Sequence, residues 1–156
     1  MNRKSTVKIL MLALAFFLSG GCASNSAAQS SGAPSGASLY KRLGGYDAIA
    51  AVSDEFIGRL AADKQLSRFL VGMSADSQKR LRQLVVDQLC QATGGPCLYI
   101  GRPMKTVHAG LGITESDWQL TVKHLVASLD KFKVPEKEKN EFLALASSLK
   151  PDIVEK

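Results

Sequence analysis

Met104, His108 and Leu111 are spaced by four and then three residues, which puts them on one face of a short helix. Pro103 suits the start of that helix, and Gly110 and Gly112 lie just past its end. Upstream, Gly94, Gly95, Pro96 and Gly101 break the chain before it. Between these breaks about two helical turns remain. An imidazole aimed from so short and bounded an element, with apolar residues beside it, is suited to ligate a metal. A haem iron is met in this way, provided the second ring nitrogen finds an acceptor. The other histidine, His124, falls between Val122 and Leu125 on a longer helix and is expected at the edge of an apolar stripe rather than at a metal.

Cys90 and Cys97 are the second pair with chemical potential. Thr93, Gly94, Gly95 and Pro96 lie between them and favour a turn. Two readings stand: a disulfide in an oxidising compartment, worth about 2 to 3 kcal/mol by loop closure, or two buried small hydrophobes. Covalent haem attachment through Cys-x-x-Cys-His is absent. Zinc binding lacks paired spacing and a fourth ligand.

Cys22 belongs to a different pattern. Arg3, Lys4 and Lys8 precede an apolar run from Ile9 to Leu18, too short to span a bilayer, and Ser19, Gly20 and Gly21 follow. Residues 1–21 read as an export signal whose end resembles a bacterial lipoprotein processing site, with Cys22 as the lipidated residue. Leu18 stands one place further from the cysteine than in that pattern, so cleavage without lipidation is the competing reading. Residues 22–37, rich in Ser, Ala, Gly and Asn, form a flexible tether, and residues 38–154 make one domain. The expected location is the periplasmic side of a membrane, anchored by lipid. Without the leader the chain carries 17 basic and 14 acidic residues. That balance is too mild to argue for nucleic acid, and the basic cluster of Lys79, Arg80 and Arg82 has no interleaved aromatic residues.

The elements that must position His108 are all helical, since apolar residues recur at helical spacing and no stretch alternates long enough for a strand. After a short entry at Leu39 to Leu43, Gly44 and Gly45 interrupt the chain. Ile49, Val52, Phe56 and Leu60 then line a helix over 46–62. A brief turn is expected near 65–70 and a helix over 76–92 carrying Leu81, Leu84, Val85, Val86, Leu89 and Cys90. Thr114 and Asp117 form a capping box for a helix reaching Phe132. Pro135 opens the last helix, whose buried face is Phe142, Leu145, Ala146 and Leu149, and Pro151 is expected to stop it.

Over residues 38–154 the chain resembles the group I truncated haemoglobins. The resemblance runs through Leu39, Tyr40, Leu43, Gly44 and Gly45, then Phe56 and Leu60, Gln91 to Cys97, Tyr99, Gly101 and the His108 segment. It implies a two-on-two helical sandwich around haem b, His108 as proximal ligand, and small diatomic ligands such as dioxygen, nitric oxide or carbon monoxide on the opposite face. It further implies haem contacts from Phe56, Leu81, Val85, Tyr99 and Met104, a wedge at Phe69 or Leu70, and propionate partners at Arg102 and Lys105. Where many members carry a distal tyrosine, this chain has Ile57, and the resemblance puts Leu81 and Val85 at the positions of the following long helix that face the iron. Dioxygen would then lack a hydrogen bond of about 1.5 to 3 kcal/mol. Gln83 and Gln88 are alternative donors placed nearer the flanks.

The expected protein is therefore a monomeric haem protein binding diatomic ligands, closer to transport than to catalysis. Nitric oxide dioxygenation would need an external electron donor that the chain does not identify. A peroxidase-like site would need a distal acid or base that is not found. The rival reading is a haem-free helical lipoprotein, an interaction module in which Ile57, Leu70, Leu81 and Val85 fill the vacated space.

Overall fold

The computed structural model describes residues 36–156, so the leader 1–21, Cys22 and the tether up to residue 35 lie outside the described residues. All regular structure among the described residues is helical: α1 (Leu39–Arg42), α2 (Gly45–Ala62), α3 (Ala75–Ala92), α4 (Met104–His108), α5 (Glu115–Lys131), α6 (Glu136–Ser148) and α7 (Lys150–Ile153), with a 3-10 turn at Ser67–Phe69. Local chemistry sets the starts. Ser74 caps α3 by accepting from the Ser77 N–H at 3.2 Å. Thr114 and Asp117 form the reciprocal capping box of α5.

α2 is the hub. It packs against α3 on one side and α5 on the other, and α5 packs on α6, giving two layers of two helices. Two apolar clusters result. Leu39, Val52, Leu125, Leu129 and Phe142 join α1, α2, α5 and α6, while Ile49, Ala50, Val86 and Cys90 join α2 to α3. Ser53 sits wholly buried between them, and its hydroxyl donates to the Ile49 carbonyl at 2.8 Å, so the hydroxyl is satisfied within its own helix. Phe56 packs against the first cluster.

One expectation about the last helix is met and one is corrected. α6 ends at Ser148 with Leu149 as its C-cap, and Pro151, two residues on, has no N–H with which to continue it; it stands instead in the first turn of α7. Leu145 is 38% exposed, while Phe142 is buried and Ala146 and Leu149 are half-buried. The buried stripe of α6 is thus narrower than its composition implied.

Cys90 and Cys97 are joined, with their Cα atoms 5.7 Å apart. The bond runs from the buried end of α3 to the segment that leads into α4.

Candidate functional site

His108 closes the five-residue helix α4 and is half-buried. Its Nδ1 lies 2.9 Å from the Met104 carbonyl oxygen. A carbonyl can only accept, so the neutral imidazole here carries its proton on Nδ1 and its lone pair on Nε2. Among the described residues no group hydrogen-bonds to Nε2. Met104 is half-buried on the same helix, and Leu111, expected on that face, is 45% exposed beyond the helix end.

Short as it is, α4 cannot hold its own direction by helix propensity. Its approach is fixed instead by the preceding segment. The Tyr99 N–H donates to Gln91 Oε1 at 2.7 Å, and the Tyr99 hydroxyl donates to the Arg102 carbonyl at 2.8 Å. Burial pushes the Tyr99 hydroxyl above its usual pKa, against the opposing pull of Arg102. The ring folds over Gly101, where a Cβ would sit 2.2 Å from it, so only glycine fits there. Arg102 and Lys105, both exposed, flank the start of α4.

A second feature lies between α2 and α3. Ile57, Leu70 and Leu81 line a cleft of about 210 Å³ together with Ala61, Ser67, Val71, Met73 and Gln78. Three expected residues are thus brought together. Val85 is half-buried one turn further along α3 and does not line this cleft, and Phe69 packs its ring under the Arg68 guanidinium at 4.3 Å. Between Phe69 and Leu70, it is Leu70 that faces the cleft. Val71, Met73 and Gln78 escaped sequence reasoning, because the loop before α3 has no period from which to read a facing side. Gln78 Nε2 donates to the Met73 carbonyl at 3.2 Å, which occupies its amide. Gln83 points elsewhere, to the Tyr46 hydroxyl and Asp87.

The cleft wall is tied to α5 at two points. His124 Nε2 lies 2.9 Å from Asp63 Oδ2, at the end of α2. The bond to His124, followed by the Leu66 and Gln65 backbone N–H groups, holds the Asp63 carboxyl below its ordinary range. Asp117, only 1% exposed, accepts from Gln65 Nε2 and Arg68 Nη2 at 2.7 Å each, and from the Thr114 N–H and hydroxyl at 2.9 and 2.8 Å. Burial alone would raise the Asp117 carboxyl, but these donors outweigh it and hold it far below the ordinary carboxylate range.

A depressed folded value means that the contribution is complete above the unfolded carboxyl pKa of about 4 and is lost as pH falls from there toward the folded value. Asp117→Asn should therefore cost about 2 kcal/mol at neutral pH. That gap should narrow steadily below pH of about 4. Urea unfolding of both proteins across pH checks it, and a gap independent of pH would refute the assignment.

Four large apolar side chains remain exposed around these elements: Val71 (78%), Leu98 (72%), Ile100 (76%) and Leu111 (45%). They lie on the loop before α3 and on the segments either side of α4.

Comparison with known proteins places this arrangement. The model of the bacterial-like globin family matches residues 38–155. The group 1 truncated hemoglobin GlbN of Mycolicibacterium paratuberculosis is 39% identical over 117 residues, covering 75% of this chain and 84% of that protein. Among solved structures, the 2/2 hemoglobin of Synechococcus sp., in the cyanomet state and with covalently attached heme, superposes with a TM-score of 0.68 at 27% identity, covering 76% of this chain and 98% of that one. The truncated hemoglobin of Tetrahymena pyriformis, in its Fe(III) form, gives a TM-score of 0.70 at 24% identity, over 77% of this chain and all of that one.

Proposed function

This chain belongs to the bacterial-like globin family, and from that premise we propose that it holds haem b through His108 and binds small diatomic ligands there reversibly. The observation that carries the reading is the Nδ1 contact to the Met104 carbonyl at 2.9 Å, which leaves Nε2 with a lone pair and no described partner. When bound, the haem supplies the iron that takes the diatomic ligand. Everything else is the work of the chain's own residues. Met104 O orients the imidazole, Tyr99 and Gln91 hold the segment before it, and Arg102 and Lys105 offer cations to the propionates.

Ile57, Leu70 and Leu81 supply an apolar surface for the ligand. The one amide lining the cleft, that of Gln78, donates to Met73. Apart from the Ser67 hydroxyl, the lining offers no free donor to a ligand that draws negative charge, so carbon monoxide and nitric oxide are favoured relative to dioxygen. These residues line a cleft of about 210 Å³ rather than fill it, which does not favour a haem-free module. The reading includes export and a lipid anchor at Cys22, which rest on the sequence pattern alone.

Titrating the protein lacking residues 1–22 with haemin tests the reading. A Soret band that saturates at one haem per chain is expected, and a folded protein that leaves haemin unbound would end it.

A further inference from the structure

We infer that Glu155 is a positioning residue for His108: its carboxylate holds the loop that ends α4 and thereby sets the direction in which Nε2 is presented. The inference rests on the haem reading above. Glu155 Oε1 accepts from the Gly110 N–H at 2.5 Å and Oε2 from the Gly112 N–H at 2.9 Å. Both glycines have positive φ, 81° and 63°, and the two N–H groups converge in a small concave donor site. Such backbone nests bind anions, and here the chain's own carboxylate fills it.

Two backbone bonds keep the carboxylate in place. The Glu155 N–H donates to the Ile113 carbonyl at 2.9 Å, and the Glu115 N–H donates to the Lys156 carbonyl at 3.0 Å. α7, just before this segment, packs against α4. The loop itself begins at the ligand, since the Leu111 N–H donates to the His108 carbonyl at 3.2 Å. Glu155 is therefore two bonded steps from the imidazole-bearing residue. No side chain caps α4 at Pro103, so the helix takes its direction from α7 packed beside it and from what grips its two ends. Tyr99 grips one and Glu155 the other.

An acceptor aimed at two N–H groups is a demand that packing alone would not make. Glu155→Gln keeps the shape but turns one oxygen into a donor facing an N–H group. Glu155→Ala removes both acceptors. Lys156→Ala keeps the backbone bond to Glu115 and serves as the control.

The experiment uses the haemin-loaded protein. Resonance Raman spectra of the ferrous, ligand-free form report the iron–histidine stretch, transfer to excess apomyoglobin reports haem loss, and thermal melts of the apoprotein report folding. Glu155→Ala is expected to shift and broaden the iron–histidine band and to speed haem loss about tenfold, the range for removing an outer partner of a metal ligand. Glu155→Gln should shift the band in the same direction, while Lys156→Ala stays at wild type. If Glu155→Ala does not fold, Glu155→Gln decides on the same band. An unshifted band with unchanged haem loss in a folded variant overturns the inference and leaves the haem reading intact. Wild type that takes up no haemin overturns both, and shows itself before any variant is measured.

Discussion

His108→Ala is expected to lower haemin affinity by more than about a hundredfold, since it removes the ligand itself, whereas an outer partner is worth only about tenfold to a hundredfold. What haem remains should show a displaced Soret band, and added free imidazole should restore it. The fold should survive, because His108 is half-buried and belongs to neither apolar cluster. His124 cannot take over: its Nε2 is engaged with Asp63 at 2.9 Å. His124→Ala should leave the haem spectrum in place. Haemin titrations of the three proteins by absorbance decide the matter, and a wild-type spectrum and affinity in His108→Ala would exclude it as the ligand.

Ile57→Tyr is expected to slow dioxygen dissociation by about tenfold to a hundredfold, the equivalent of one added hydrogen bond of about 1.5 to 3 kcal/mol to a ligand carrying negative charge. Ile57 borders the cleft of about 210 Å³, so a larger ring has space to turn its hydroxyl inward. Carbon monoxide, which draws less charge, should dissociate at nearly the wild-type rate. The contrast between the two ligands is the test, because a purely steric effect would act on both. Stopped-flow displacement on the ferrous protein measures each rate, and equal, small changes would mean that position 57 does not face the ligand.

What was legible in the chain was what neighbours along it determine. The Thr114–Asp117 capping box, the His108 helix with its breaks, and the apolar faces of α2 and α3 are local patterns, set by helical period and by residues three or four apart. The second task of Asp117 was not legible. Its partners Gln65 and Arg68 lie 52 and 49 residues away, and nothing in either segment announces the other. Glu155 was invisible for the same reason, 45 residues from the Gly110 N–H it binds. Pro151 ends α6 as its missing N–H requires, but that it also suits the first turn of a further helix, α7, was not legible. The cleft between α2 and α3 was half legible. Ile57, Leu70 and Leu81 were named through the family resemblance, whereas Val71 and Met73 stand on an aperiodic loop.

The brevity of α4 has a consequence for how the protein registers its own occupancy. A five-residue helix that contributes to neither apolar cluster opens locally far more readily than α2, whose two faces carry both clusters. The Thr106 and Val107 amides, which donate to the Pro103 carbonyl, are therefore expected to exchange with solvent deuterium through small excursions rather than global unfolding. On the proposed reading, an iron bond at His108 would add a further grip at the C-terminal end of what opens. The exchange of two backbone protons would then gauge whether the iron is in place, legible without any colour from the cofactor.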